Sequence, residues 1–202
     1  MTTLGNSQSM RAPSGLKVAP MSYVKLEEVA DGIRPMLPTV QGYGRKPWTI
    51  DAWRVLEQTL PKAGFNFHVA EIEDLDECAA FTIPERKLVV LRKDVYSGLF
   101  EDDVFSRSTV LHELSHIVLE HAVTLHRNAP KGAHRFHEDS EWQAKALTAA
   151  IMMPVEACRA AYSASELARM CGTSAQAATY RLDKLADRGV IDPDRHKGTL
   201  FG

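Results

Sequence analysis

Cysteine is scarce in this 202-residue sequence: Cys78, Cys158 and Cys171 are the only three, widely scattered and without a C-x-x-C pair. An odd, dispersed set argues against a disulfide framework and for a reducing compartment. Long apolar runs are absent as well. The longest, near Ala149–Val155, contains Pro154 and falls far short of the ~18–20 residues of a membrane span. No charge dominates: 24 Lys and Arg stand against 26 Asp and Glu, net −2, so no global basic field recruits nucleic acid or an anionic membrane. No apolar signal segment follows Met1, which makes the cytoplasm the expected location. There is no repeat at solenoid spacing.

What is there is an ordinary globular balance, 45% hydrophobic and 25% charged, over a length suited to one compact domain, or one domain plus a small appendage. Residues 1–20 are rich in Gly, Ser, Thr and Pro, carry no acid, and read as a flexible leader. Val24, Leu26, Val29, Ile33 and Met36 are spaced as one face of a helix from Tyr23 to Leu37, closed by Pro38. After a Gly- and Pro-bearing loop, Thr49 is the expected N-cap of a helix through Trp53, Leu56 and Leu60. The period then becomes extended. Phe65, Phe67 and Val69 alternate with more polar neighbours, and 79–83 and 87–91 flank Pro84-Glu85-Arg86, so about three strands are expected. A long helix over 103–122, a polar histidine-bearing loop over 126–137 and an alanine-rich helix over 139–153 follow, the last stopped by Pro154.

The long helix carries His112-Glu113-Leu114-Ser115-His116, the H-E-x-x-H pattern. Residues four apart lie one turn along a single helix face, so both imidazoles can grip one ion at ~2.0–2.1 Å. Glu113, offset around the helix, is placed to take a proton from an activated water rather than to bind metal. Val110, Leu111, Leu114, Ile117 and Val118 form the core-facing arc, and His112 and His116 lie outside it. His121 falls within that arc and reads as a packed or rim histidine. A catalytic zinc wants a third protein ligand and an open position. Glu120 is ~12 Å along the axis from His112, too far to reach the same ion. Leu119 and Ala122 stand where a metzincin would have glycine and histidine. The second helix offers Glu138 and Glu141. Glu141 shares a face with Ala144 and Thr148, small residues that permit the close helix approach a short ligand needs. Glu138 reads as a solvated first-turn acid, and a dipole-favoured N-terminal charge is the plain alternative for Glu141 as well.

HELSHIVLEH, followed about 20 residues later by EWQAKALTAAIMMP, resembles the ImmA/IrrE family of zinc metallopeptidases. Glu141 and Ala144 match the family's E-x-x-A, and Ile151-Met152-Met153-Pro154 its apolar-Met-Pro end; KLVVLR and SRSTV resemble the approach to the motif. The resemblance covers about residues 65–190. Ser115 stands where glycine is frequent, and Leu147-Thr148 where Phe-Ala is usual, departures that alter packing and spare the ligands.

The resemblance implies a gluzincin-like site with His112, His116 and Glu141 as ligands of zinc (or manganese) and Glu113 as general base. It also implies a protein substrate, a helix-turn-helix repressor encoded nearby. The expected fold is α+β and zincin-like. A small three-stranded sheet packs on the active-site helix and a second ligand helix within 21–154, and a helical, helix-turn-helix-like segment over 155–202 completes the chain. Candidate oxyanion donors by type are His134, Arg135, His137 and Tyr162. A substrate strand would add along Lys87–Arg92 unless that strand is interior to the sheet.

The C-terminal segment carries the competing reading. Residues 165–185 have helix-turn-helix rhythm, with Gly172 in the turn, Ser174 as cap and an Ala168, Ala178, Leu182 and Leu185 seam. Such a unit reads DNA in the major groove, which makes a DNA-binding regulator with a structural or vestigial metal site the alternative. From 163 to 202, however, six basic residues face five acidic ones, net +1, a thin footprint for phosphate. The intact Glu113 favours the peptidase, because a structural site needs no base between its histidines.

Overall fold

The structure is a computed structural model and describes residues 15–40, 48–75, 78–120 and 134–192. Helix α1 (Tyr23–Ile33) starts where the Ser22 hydroxyl accepts from the Lys25 N–H at 3.2 Å, and it buries Leu26 and Ala30. It stops short of Leu37, because Pro35 cannot donate to an α-helical ladder and the chain tightens into a 3-10 turn, Arg34–Met36. The next helical stretch runs through α2 (Ala52–Arg54), a π-helical turn (Val55–Thr59) and α3 (Leu60–Lys62), with Leu56 and Leu60 buried. Its cap is Asp51 rather than the expected Thr49. The Asp51 carboxylate accepts from the Arg54 N–H at 3.1 Å, whereas the buried Thr49 hydroxyl donates to the Met170 carbonyl at 3.1 Å.

Strand β1 (Asn66–Ala70), helix α4 (Ile72–Leu75), strand β2 (Ala80–Ile83) and strand β3 (Leu88–Arg92) follow. The sheet order is β1-β3-β2, with β1 parallel and β2 antiparallel to β3. A 3-10 turn at Pro84–Arg86 and a left-handed Lys87 close the β2–β3 hairpin. Val89, Val90 and Leu91 are all buried, the continuous apolar run of an interior strand. Since β3 is paired on both sides, substrate addition along Lys87–Arg92 is ruled out and the interior alternative holds.

Beyond α5 (Lys93–Gly98) come the two helices that matter most. Helix α6 (Val104–Val118) is capped by Asp103, whose carboxylate accepts from the Ser106 N–H at 2.8 Å. Its helical hydrogen bonding ends before the expected 122, with Glu120 at a left-handed φ of 52°. Helix α7 (Ser140–Met152) is capped by Asp139, which accepts from the Trp142 N–H at 2.8 Å, and it ends before Pro154. Helices α8 (Val155–Ala160), α9 (Ala164–Cys171) and α10 (Ala175–Asp187) are the last elements among the described residues, with Gly172 turning between the last two at φ 64°, where a side chain would be strained. One cluster of buried side chains runs from Leu26 to Ile191, with Leu111, Leu147, Leu167 and Leu185 fully inside. Among the described residues no helix is long and apolar enough to cross a membrane.

Two polar devices fix the ends of this assembly. Residues 15–20, part of the expected leader, are tied to the start of α7. The Gly15 N–H donates to Asp139 Oδ2 at 2.7 Å, Leu16 N–H to the Ser140 hydroxyl at 3.0 Å and Val18 N–H to the Glu138 carbonyl at 2.8 Å. Residues 1–14 of that leader lie outside the described residues. On the other side, Arg181, only 4% exposed, holds Glu27 by a bidentate pair at 2.6 and 2.8 Å and donates from Nε to the Met153 carbonyl at 3.1 Å. This pair joins α10 to α1. Removing one partner leaves an uncompensated buried charge, so Glu27→Ala should cost about 3 kcal/mol in urea unfolding. The apolar double replacement Glu27→Leu with Arg181→Met should recover most of that loss.

Candidate metal centre

The α6 helix presents His112 and His116 on one face because they are four residues apart. Against that face lies the first turn of α7, whose Asp139 cap fixes where Glu141 begins. His112 Nε2 is 3.3 Å from Glu141 Oε2, His116 Nε2 is 3.2 Å from Glu141 Oε1, and the two Nε2 atoms are 3.1 Å apart. The imidazole planes stand nearly perpendicular, at 89°. Tetrahedral ligands ~2.0–2.1 Å from a zinc ion sit roughly 3.3 Å from one another, which is the separation these donors have. Two nitrogens and a carboxylate converging in this way form a donor set that fits a small divalent cation, and among the described residues it is the one such group of three.

Glu113 stands apart from this set. It is 6% exposed, and its Oε2 accepts a hydrogen bond from the Thr82 hydroxyl of β2 at 2.7 Å. Strand β2 therefore touches the helix carrying the histidines and holds one oxygen of the carboxylate between them. Glu138 does not join the cluster, because its carboxylate turns back to accept from the Arg135 N–H at 3.1 Å. The structure brings His112, His116 and Glu141 together and sets Glu113 beside them.

Of the candidate oxyanion donors, Arg135 is exposed. His134 is buried in a 3.0 Å contact with Asp139, the His137 ring packs edge-on against Phe136, and Tyr162 is 69% exposed on the connection before α9. His121 lies outside the described residues.

Residues 104–183 match the family model of a peptidase, described as the IrrE N-terminal-like domain. That match spans both quoted motifs and bears out the ImmA/IrrE resemblance over this segment. It supports a peptidase of the metal-dependent type. No curated protein matches the chain.

Sequence reading missed two neighbours of the site. Thr82 was one hydroxyl in an apolar strand, with nothing local to link it to Glu113. In the sequence Gly15 reads as leader, yet a Cβ there would lie 2.6 Å from the Glu141 amide nitrogen and 2.9 Å from its Cγ. The N-terminal strap thus packs directly on the glutamate, and only glycine admits that approach.

Hydrogen bonds from His112 and His116 hold the Glu141 carboxyl far below its ordinary 4.5, outweighing its burial. A depressed folded-state value means that the ionised group contributes stability that is complete above pH 4.5 and lost as pH falls below it. In the presence of EDTA, denaturant unfolding stepped from about pH 5 to 3 should show this loss, and Glu141→Gln should flatten it.

Proposed function

We propose that this chain is a zinc-dependent endopeptidase that cuts a regulatory protein, a helix-turn-helix repressor encoded nearby. The observation that carries the reading is the convergence of His112, His116 and Glu141 at 3.1–3.3 Å with Glu113 on the adjoining helix position. His112, His116 and Glu141 would hold the ion. When bound, zinc would polarise the scissile carbonyl and lower the pKa of the attacking water. Glu113 takes the proton from that water and returns it to the leaving amine. The Thr82 hydroxyl fixes Oε2 of the base, which leaves Oε1 to handle the proton. An extended substrate segment adds along the outer edge of β2, the strand that reaches Glu113, rather than along β3. The repressor target comes from the family resemblance alone.

The DNA-binding alternative gains little from the C-terminal helices. Arg181 is spent on Glu27, and Arg188 lies over the Tyr23 ring at 4.7 Å, so two of the six basic residues of this segment turn inward. The exposed positions of α10 are Ala175, Gln176, Thr179, Tyr180, Asp183 and Asp187, none of them basic.

Co-expression with the neighbouring repressor, followed by mass spectrometry, should reveal one discrete cut. Glu113→Gln should keep stoichiometric zinc and abolish the cut. Thr82→Val should also keep zinc but slow cleavage about tenfold, within the usual contribution of positioned acid–base groups. A protein that binds no zinc, or a cut that survives Glu113→Gln, overturns the assignment.

A further inference from the structure

Helices α6 and α7 meet through two hydroxyls, and neither is a ligand or a base. Ser115 is fully buried and Thr148 is 8% exposed. Ser115 Oγ lies 2.8 Å from the Leu111 carbonyl of its own helix, and Thr148 Oγ1 lies 2.7 Å from the Ala144 carbonyl of its own. The two hydroxyls carry two protons between them, so one donates to the carbonyl of its own helix and accepts from the other, which donates across at 2.9 Å and joins the two helices. They are also two of the three positions at which the sequence departs from the ImmA/IrrE pattern, Leu147 being the third, and these two departures meet in space.

Facing glycine and alanine surfaces permit a close approach but leave the helices free to slide, since dispersion varies gently over fractions of an ångström. A hydroxyl–hydroxyl bond is directional and holds one separation. Ser115 directly precedes His116, and Thr148 sits two turns beyond Glu141 on the same face of α7. The register of α7 on α6 sets whether Glu141 oxygens reach both ring nitrogens. The α7 helix supplies one ligand and α6 supplies two, so an inter-helix slip would act on the site directly.

We infer that the Ser115–Thr148 hydroxyl pair is a positioning element which locks α7 against α6 at the separation needed for Glu141 to share an ion with His112 and His116. This rests on the metal-centre reading above. It concerns neither ligand identity nor the chemistry of the base.

The test is the affinity of the full chain for Zn²⁺, measured by competition with a chromophoric chelator, with far-UV circular dichroism as the folding control. Thr148→Val and Ser115→Ala each remove the same bond. Each should weaken zinc binding about three- to tenfold, below the ~10–100-fold seen when a partner bonded directly to a ligand is lost. The double variant should match either single within about twofold, because one bond cannot be lost twice. Thr148→Ser keeps the hydroxyl and should bind as the unaltered chain does, a rescue that a role in packing volume alone would not give. Should Thr148→Val fail to fold, Ser115→Ala removes the bond with less change in volume and decides the matter. Unchanged zinc affinity in the folded single variants, or a Thr148→Ser loss as large as that of Thr148→Val, overturns the inference. A chain that binds no zinc at all overturns the metal centre itself, and this proposal with it.

Discussion

Two imidazole nitrogens and a carboxylate held 3.1–3.3 Å apart place electron pairs in mutual repulsion unless protons or a cation lie among them. Much of the surrounding structure can be understood as the means of keeping these groups together. The histidines are fixed relative to each other by helical geometry alone. Glu141 is not, because it arrives on a separate helix, and its position depends on how α7 is started, capped and pressed against α6. Asp139 starts that helix, the strap at residues 15–18 packs on its first turn, and Ala144 allows the close approach.

The same economy governs the carboxylate of Glu113. Glu113 is nearly buried, which would raise the cost of its charge, and the Thr82 hydroxyl answers that burial with a directed hydrogen bond. Because Thr82 belongs to the outer strand of the sheet, the strand and the carboxylate are oriented together. A sheet of only three strands suffices for this, since its task is to bring one strand to the helix. The buried Arg181–Glu27 pair plays a comparable part away from the site, joining the last helix to the first.

Much of this was legible in the sequence. The helices carrying His112, His116 and Glu141, the hairpin around Pro84 and the choice of these three residues and Glu113 as candidates followed from local periodicity, spacing and family resemblance. Where the reading failed, the deciding interaction was distant in the chain. Thr49 looks like a cap until the Met170 carbonyl, 121 residues away, claims its hydroxyl. The strand at Leu88–Arg92 could be an edge or an interior strand until β1 and β2 pair on either side of it. Gly15 looks like linker until the start of α7 closes on it.

The sequence by itself determined that two imidazoles share a helix face with an acid between them, because a spacing of four residues is converted to one turn by backbone geometry that every helix obeys. It also determined that a second helix bears a glutamate flanked by small residues. Only the tertiary structure decided that this glutamate meets both rings, that the acid between them is held by an edge-strand hydroxyl, and that Ser115 meets Thr148. Those are contacts between segments tens of residues apart, and their distances are set by the packing of a whole core rather than by any local rule.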